Sequence, residues 1–201
     1  MNEGVKEDAK MRSGPLTTPI SILLFLLLFA GGAGAQEVKG GSYTKIPTVK
    51  GIDLLKKVGG KAPDFTVKDL GGKKFHLRES LDKDAVLLFF WSCFCGPCRE
   101  EFPLIGEVAR EYGGIGLQVV GVNLDGREMK KVIDRMAVEE KVSFRIVFDE
   151  LDGDTFHIAD PYAVSGTPAL FVIDRKGVVT FSTVDIVAAE QLREEISKAV
   201  K

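Results

Sequence analysis

Ala85-Val-Leu-Leu-Phe-Phe-Trp91, followed at once by Ser92-Cys-Phe-Cys95-Gly-Pro-Cys98-Arg99, is the stretch from which the rest of the chain can be read. Seven apolar residues in a row leave no polar face for water, the pattern of a strand covered on both sides. Directly after it, two cysteines three apart open a segment with helical spacing that reaches about Tyr112 and stops at Gly113-Gly114. A helix N-terminus presents unpaired N–H groups and partial positive charge, which favour a thiolate. The effect is worth up to about 2 kcal/mol, or roughly 1.5 pKa units. Cys95 at the terminus gains most from it, whereas Cys98, one turn further in, is expected to be more buried. Pro97 falls in the first turn, where its missing N–H costs least.

Working outward, Phe65 to Leu70 and Lys74 to Leu77 flank Gly71-Gly72, a hairpin signal. Leu117 to Val122 is a second buried strand. Glu128 to Val138 has helical periodicity through Met129, Val132, Ile133 and Met136, and Phe144 to Phe148 returns to strand. Asp154 to Tyr162 reads as one or two helical turns. Ala169 to Ile173 and Val178 to Ser182 flank the turn Asp174-Arg-Lys-Gly177, and an amphipathic helix closes the chain from about Ala188 to Val200. Pro103, inside the first long helix, is predicted to kink it, because its ring clashes with the Arg99 carbonyl. The order predicts an α/β domain: a mixed central sheet flanked by helices, with an N-terminal β-hairpin and an inserted α-β unit.

With 201 residues there is room for one ordinary domain and a short appendage. A hydrophobic content of 45% supports a buried core, and a net charge of −2 gives no electrostatic case for nucleic acid or an anionic membrane surface. Residues 1–35 have the layout of a secretory signal: Lys6, Lys10 and Arg12, an apolar run from Ile20 to Ala30, then small residues ending in Ala33-Gly34-Ala35. A helix over that run is roughly 16 Å long, short against a hydrocarbon core of about 30 Å, so a signal peptide is expected over an uncleaved anchor in residues 20–35. Residues 36–59 read as a linker and 60–201 as the folded domain. An exported chain meets conditions in which disulfides persist. Yet the 3 cysteines all lie between Cys93 and Cys98, too concentrated to staple a scaffold. Half a zinc site is the competing explanation of Cys95 and Cys98, but no second pair exists to complete four ligands. Redox chemistry is the expectation.

Phe90 to Arg99 resembles the active-site segment of the thioredoxin-like superfamily. Gly60-Lys-Ala-Pro-Asp-Phe65, Cys98-Arg-Glu-Glu-Phe-Pro103 and Val164-Ser-Gly-Thr-Pro168 followed by Phe171-Val-Ile-Asp174 narrow the resemblance to its exported TlpA/ResA-type thiol–disulfide oxidoreductases. The resemblance implies a thioredoxin fold over about 60–200 and a reductase of exported substrate disulfides, with apocytochrome c among them. It implies Cys95 and Cys98 as the catalytic pair and Glu101, three residues on along the same helical face, as the proton acceptor from Cys98. Trp91, Phe94, Gly96, Pro97, Thr167 and Pro168 are implied as substrate-binding, with a cis Thr167–Pro168 bond. A membrane thiol donor, a monomeric state, an extracytoplasmic location and neither cofactor nor metal follow in the same way.

Two departures qualify the match. Phe89 stands where thioredoxin itself carries a buried aspartate, so Glu101 would serve instead, and Phe94 replaces the usual tryptophan. Cys93 is unexpected: a buried inert thiol is one reading, a third redox or metal-binding thiolate the other. His76 and His157 are read as ordinary residues. A copper-binding chaperone using the three thiolates and a histidine is a rival function. A peroxiredoxin-like peroxidase is another, though it wants a P-x-x-x-T-x-x-C arrangement that Trp91 to Cys98 lacks.

Overall fold

The computed structural model describes residues 58–201. The expected signal peptide, residues 1–35, and residues 36–57 of the expected linker lie outside the described residues. Thirteen elements follow in order: β1 (Thr66–Lys68), β2 (Lys74–His76), α1 (Leu77–Leu81), β3 (Ala85–Trp91), α2 (Gly96–Tyr112), β4 (Leu117–Asn123), α3 (Lys130–Glu139), β5 (Arg145–Phe148), β6 (Leu151–Asp152), β7 (Thr155–Phe156), β8 (Ala169–Ile173), β9 (Val179–Val184) and α4 (Ala189–Ala199).

Five strands form one mixed sheet in the order β5-β4-β3-β8-β9. β3 is central and all seven of its residues are buried. It runs parallel to β4 and antiparallel to β8, while β4 pairs parallel with β5 and β8 antiparallel with β9. The apolar run divides by strand alternation. Ala85, Leu87, Phe89 and Trp91 enter a core with Phe102, Ile105 and Val108 of α2, Ile133 of α3, and Leu192 and Ile196 of α4. Val86, Leu88 and Phe90 enter a second core with Phe75 of the hairpin, Leu77 and Leu81 of α1, and Ile158 and Tyr162. Each fully buried aliphatic or phenyl side chain of this kind contributes about 1.5–3 kcal/mol.

Gly121 shows how tightly the first core is filled. It stands opposite Phe89 on β4, and a Cβ there would lie 2.9 Å from the Phe144 ring and 3.0 Å from the indole nitrogen of Trp91. Glycine is required by that close approach.

The hairpin covers an edge of the sheet that would otherwise be open. Leu70 N–H donates to the Ile146 carbonyl at 2.8 Å, and Asp69 forms an ion pair with Arg145 at 2.5 Å. The other edge is partly covered by the chain entering the domain: Gly59 N–H donates to Val179 at 2.8 Å, and Lys61 bridges to Val178. Gly59, which the sequence reading placed in the linker, thus already takes part in the fold.

The expected elements are present with ends shifted by one or two residues, and three features differ. α1 had no expectation; with only five residues it is held by Leu77 and Leu81 in the second core rather than by helical periodicity. The segment expected to hold helical turns from Asp154 begins instead as the two-residue ladder β6–β7, and only Tyr162 N–H to Ile158 C=O at 3.3 Å closes a helical turn within it. The 3-10 turn Arg127–Met129 precedes α3, which starts at Lys130 rather than Glu128. α2 runs through Pro103 as one continuous helix. Among the described residues, no helix is long and apolar enough to cross a membrane.

Candidate redox site

β3 ends at Trp91, the chain turns through Ser92–Phe94, and α2 starts with Cys95 as its N-cap. The Cys95 sulfur accepts the Cys98 N–H at 3.2 Å, taking the capping place that a serine or aspartate oxygen usually fills. Cys95 and Cys98 are joined as a disulfide with their Cα atoms 5.3 Å apart. Burial separates the two sulfurs. Cys98 is fully buried, whereas Cys95 is partly exposed beside exposed Gly96 and Pro97, and the Phe94 side chain is 79% exposed.

Register brings the second site segment alongside. Ala169, the first residue of β8, pairs with Phe90, so Thr167 and Pro168 lie beside the end of β3 from which the cysteine loop departs. The Thr167–Pro168 peptide bond is cis; Pro168 is buried and Thr167 half-buried.

Glu101 is 2% exposed on α2, not the solvated residue that its neighbour Glu100 is. One carboxylate oxygen accepts the Val187 N–H at 2.9 Å, and the other has no partner. Burial pushes its carboxyl above the usual glutamate range; the Val187 N–H opposes this and the Asp185 charge adds to it. The segment Asp185–Val187 thus ties two parts of the site together, because Asp185 N–H also donates to the Pro168 carbonyl at 2.9 Å. Asp185 does so with φ at 99°, a backbone region costly for a residue with a Cβ.

Trp91 requires a correction. It is 1% exposed, packed edge-on against Phe102 with ring centroids 4.9 Å apart, so it supports the cysteine loop from inside the core and is not a surface that meets substrate. The reason is that β3 is covered on both faces; alternation only places Trp91 with Phe89 in the core that α2 covers.

Sequence reasoning passed over Asp125 altogether. Its Oδ1 accepts the Ser92 hydroxyl at 2.6 Å, and its Oδ2 accepts the Cys93 N–H and an Asn123 side-chain N–H, both at 2.7 Å. Burial alone would raise this carboxyl, but the donors from Ser92, Cys93 and Asn123 outweigh it and hold Asp125 below the usual range. The Cys93 thiol behaves oppositely: burial first, then the adjoining Asp125 carboxylate, push it up to about 11. A signal for this pair was present, since Asn123-Leu-Asp125 follows the carboxyl end of a strand parallel to β3, where sites in such sheets gather.

His76 is engaged away from the cysteines, between Asp64 at 3.0 Å and Glu79 at 2.9 Å. Among the described residues, no group of three or more His, Cys, Asp or Glu side chains is placed to hold a metal ion.

The sequence model of the AhpC/TSA family matches residues 58–182, most of the described domain. The chain belongs to this family. Its thioredoxin-like character is seen in relatives and structures alike. ResA, a thiol–disulfide oxidoreductase of Bacillus thuringiensis subsp. konkukian, is 28% identical over 179 residues, 89% of this chain and 92% of that protein. The thioredoxin-like protein YneN of Bacillus subtilis is 32% identical over 139 residues, 69% of this chain and 78% of YneN. A solved Chlorobium tepidum protein, described as a thiol:disulfide interchange protein of the DsbE kind, superposes with a TM-score of 0.63 at 32% identity, covering 72% of this chain and 98% of that one. This family member has the thioredoxin fold and is a thiol–disulfide oxidoreductase.

Proposed function

We propose that this oxidoreductase works as a reductase of disulfides on exported proteins, with cytochrome c apoprotein thiols among its products. It acts as a monomer outside the cytoplasm, re-reduced by a membrane thiol donor. The observation that carries the mechanism is the split burial of the pair: partly exposed Cys95 at the helix N-terminus, fully buried Cys98 beneath it. In the reduced enzyme the Cys95 thiolate attacks one sulfur of a substrate disulfide, forming a mixed disulfide and releasing the first substrate thiolate. Cys98 then loses its proton and attacks the Cys95 sulfur, forming Cys95–Cys98 and releasing the second substrate thiol. Two electrons and two protons pass from the dithiol to the substrate.

Glu101 fits the proton step. A carboxylate raised by burial, with one free oxygen, is a better acceptor near neutrality than an ordinary surface glutamate. Exposed Phe94 with Gly96 and Pro97, and the Thr167–Pro168 segment, form the surface that an extended substrate strand would meet.

The direction of electron flow is supported by what surrounds the pair. An oxidant of this fold needs a strongly stabilised thiolate. Arg99, the basic residue adjoining the motif, is exposed and directed to Glu140 at 3.5 Å, and Glu101 adds the wrong sign for such stabilisation. The location and the cytochrome c substrate are supported by the signal-like residues 1–35 and by the TlpA/ResA resemblance.

Equilibration with a glutathione buffer tests this directly. The Cys95–Cys98 potential is expected nearer about −270 mV than −120 mV; a value near the upper figure makes the protein an oxidase. Cys98→Ala should accumulate mixed disulfides at Cys95, and trapping at Cys98 in a Cys95→Ala protein would reverse the roles.

A further inference from the structure

The redox segment holds a third cysteine that the reaction does not use, and the fold spends a part-buried carboxylate on it. We propose that Asp125 is a positioning residue that reserves Cys95 for Cys98 by holding the Ser92–Cys93 segment with both carboxylate oxygens. The proposal rests on the reading of Cys95 as the attacking thiol, and it adds a selection among three sulfurs.

The competition is real in chemical terms. Cys93 is two residues from Cys95, and both pack against the same core. A Cys93 thiolate can attack the Cys95 sulfur of the Cys95–Cys98 disulfide. That attack forms Cys93–Cys95 and releases Cys98 as a thiolate, with no net oxidation. The same attack on a mixed disulfide releases substrate and leaves the enzyme in a pairing that Cys98 must undo. Either event removes the resolving arrangement from the catalytic cycle.

The geometry opposes both. Ser92 Oγ and Cys93 N–H are fixed to the two oxygens of one carboxylate at 2.6 and 2.7 Å. Ser92 passes the constraint on: its Oγ accepts the Phe94 N–H at 3.1 Å and its carbonyl accepts the Cys95 N–H at 3.1 Å. Asp125 is itself held by Asn123, whose side-chain oxygen accepts the Asp125 N–H at 3.0 Å and whose amide donates back at 2.7 Å. Asn123 is fully buried at the end of β4, so the anchor is rigid. Burial and the adjoining Asp125 carboxylate both push the Cys93 thiol up, which keeps it as S–H, the unreactive form. Glu128, Asp149 and Glu150 line a cleft with Asp125, and the cation next to them, Arg127, is paired with Glu150 at 2.6 Å.

Disulfide mapping by mass spectrometry reads the selection without any substrate. The full chain is equilibrated in glutathione buffer between pH 6 and 9, quenched in acid and digested. The wild type is expected to carry Cys95–Cys98 throughout. Asp125→Asn is expected to show Cys93-containing pairings that rise with pH, at least about tenfold above wild type, the change that one unit of thiol acidity gives. Ser92→Ala, which removes the Oγ bonds to Asp125 and Phe94 but no charge, is expected to show Cys93-containing pairings above wild type but below Asp125→Asn. A second measurement is independent of the variant's folding: alkylation of Cys93 in the Cys95→Ser/Cys98→Ser protein should have its pH midpoint well above that of the same chain in denaturant. An Asp125→Asn protein that pairs only Cys95 with Cys98, or a Cys93 midpoint equal in native and denatured chains, overturns the proposal. A high reduction potential would sink the reductase reading alone, since the pairing does not depend on the direction of electron flow.

Discussion

Glu101 and Asp149 are both carboxylates at most 2% exposed, and the fold treats them differently. Asp149 spends both oxygens on backbone: Oδ1 accepts Ile158 N–H at 2.9 Å and Oδ2 accepts Ala159 N–H at 2.6 Å. It closes the turn that delivers Tyr162 to the second core. Glu101 spends one oxygen, on Val187, and leaves the other unpartnered beside the cysteine helix. Burial raises both carboxyls above the usual range, and backbone donors partly offset it in each case. The difference teaches that satisfaction, and not burial, separates a structural carboxylate from a chemical one: Asp149 has both oxygens engaged by backbone donors, whereas Glu101 keeps one oxygen open to a neighbouring proton donor.

Glu101→Gln gives the largest expected effect. Removing a general base should slow resolution of the mixed disulfide by about a hundredfold, with little change in melting temperature, because the amide oxygen can still accept Val187. Stopped-flow release of the second substrate thiol measures it. A loss of melting temperature in place of the kinetic loss would make Glu101 a second Asp149.

Asp149→Asn should show the opposite profile. The amide can satisfy only one of the two N–H groups and turns its own donor toward the other, which costs about 1–3 kcal/mol. Denaturant titration should show that loss with turnover per folded molecule unchanged.

The pH dependence of stability compares the two in one experiment. Both carboxyls are raised in the folded state, so the folded protein binds those protons more tightly than the unfolded chain. Their contribution is full below the ordinary carboxylate range and is lost as pH rises through the raised values. Wild-type stability should therefore decline across the interval just above about pH 4, and Glu101→Gln should flatten that decline. Identical slopes in the two proteins would place the raised proton elsewhere.

Asp185→Asn should act least. The exposed Asp185 charge adds to the elevation of Glu101, so its removal should move the pH profile of the reaction to lower pH. A rate change of about twofold is expected, in keeping with an exposed charge pair at 0.2–1 kcal/mol.

How far the sequence reached depended on the range of the interactions that carried each feature. Ala85 to Trp91 declared a central strand, because seven consecutive apolar side chains have no other stable place, and the cysteines after it declared their helix end. Spacing within one helix put Glu101 one turn from Cys98. The turns at Gly71-Gly72 and Asp174–Gly177 were legible because their hydrogen bonds close within a few residues; Asp174 Oδ1, for one, accepts Lys176 and Val178 N–H groups at 2.9 Å. The short α1 was not legible, since Leu77 and Leu81 are held by distant residues of the second core, and the β6–β7 ladder was not, since strands of two residues are too short to show a period.

What the sequence alone determined, then, was which residues could do chemistry: a cysteine pair at a helix start, a glutamate one turn away, a proline before a strand. Only the tertiary structure decided what each was free to do. The packing of α2, through Phe102, covered Trp91 and removed it from the substrate surface. A residue 86 positions from Glu101 took one of its oxygens and left the other open. Asp125, in the loop after a different strand, took hold of the segment that carries the third thiol. These are contacts between segments far apart in the chain, and their geometry exists only once the sheet has set the register that brings them together.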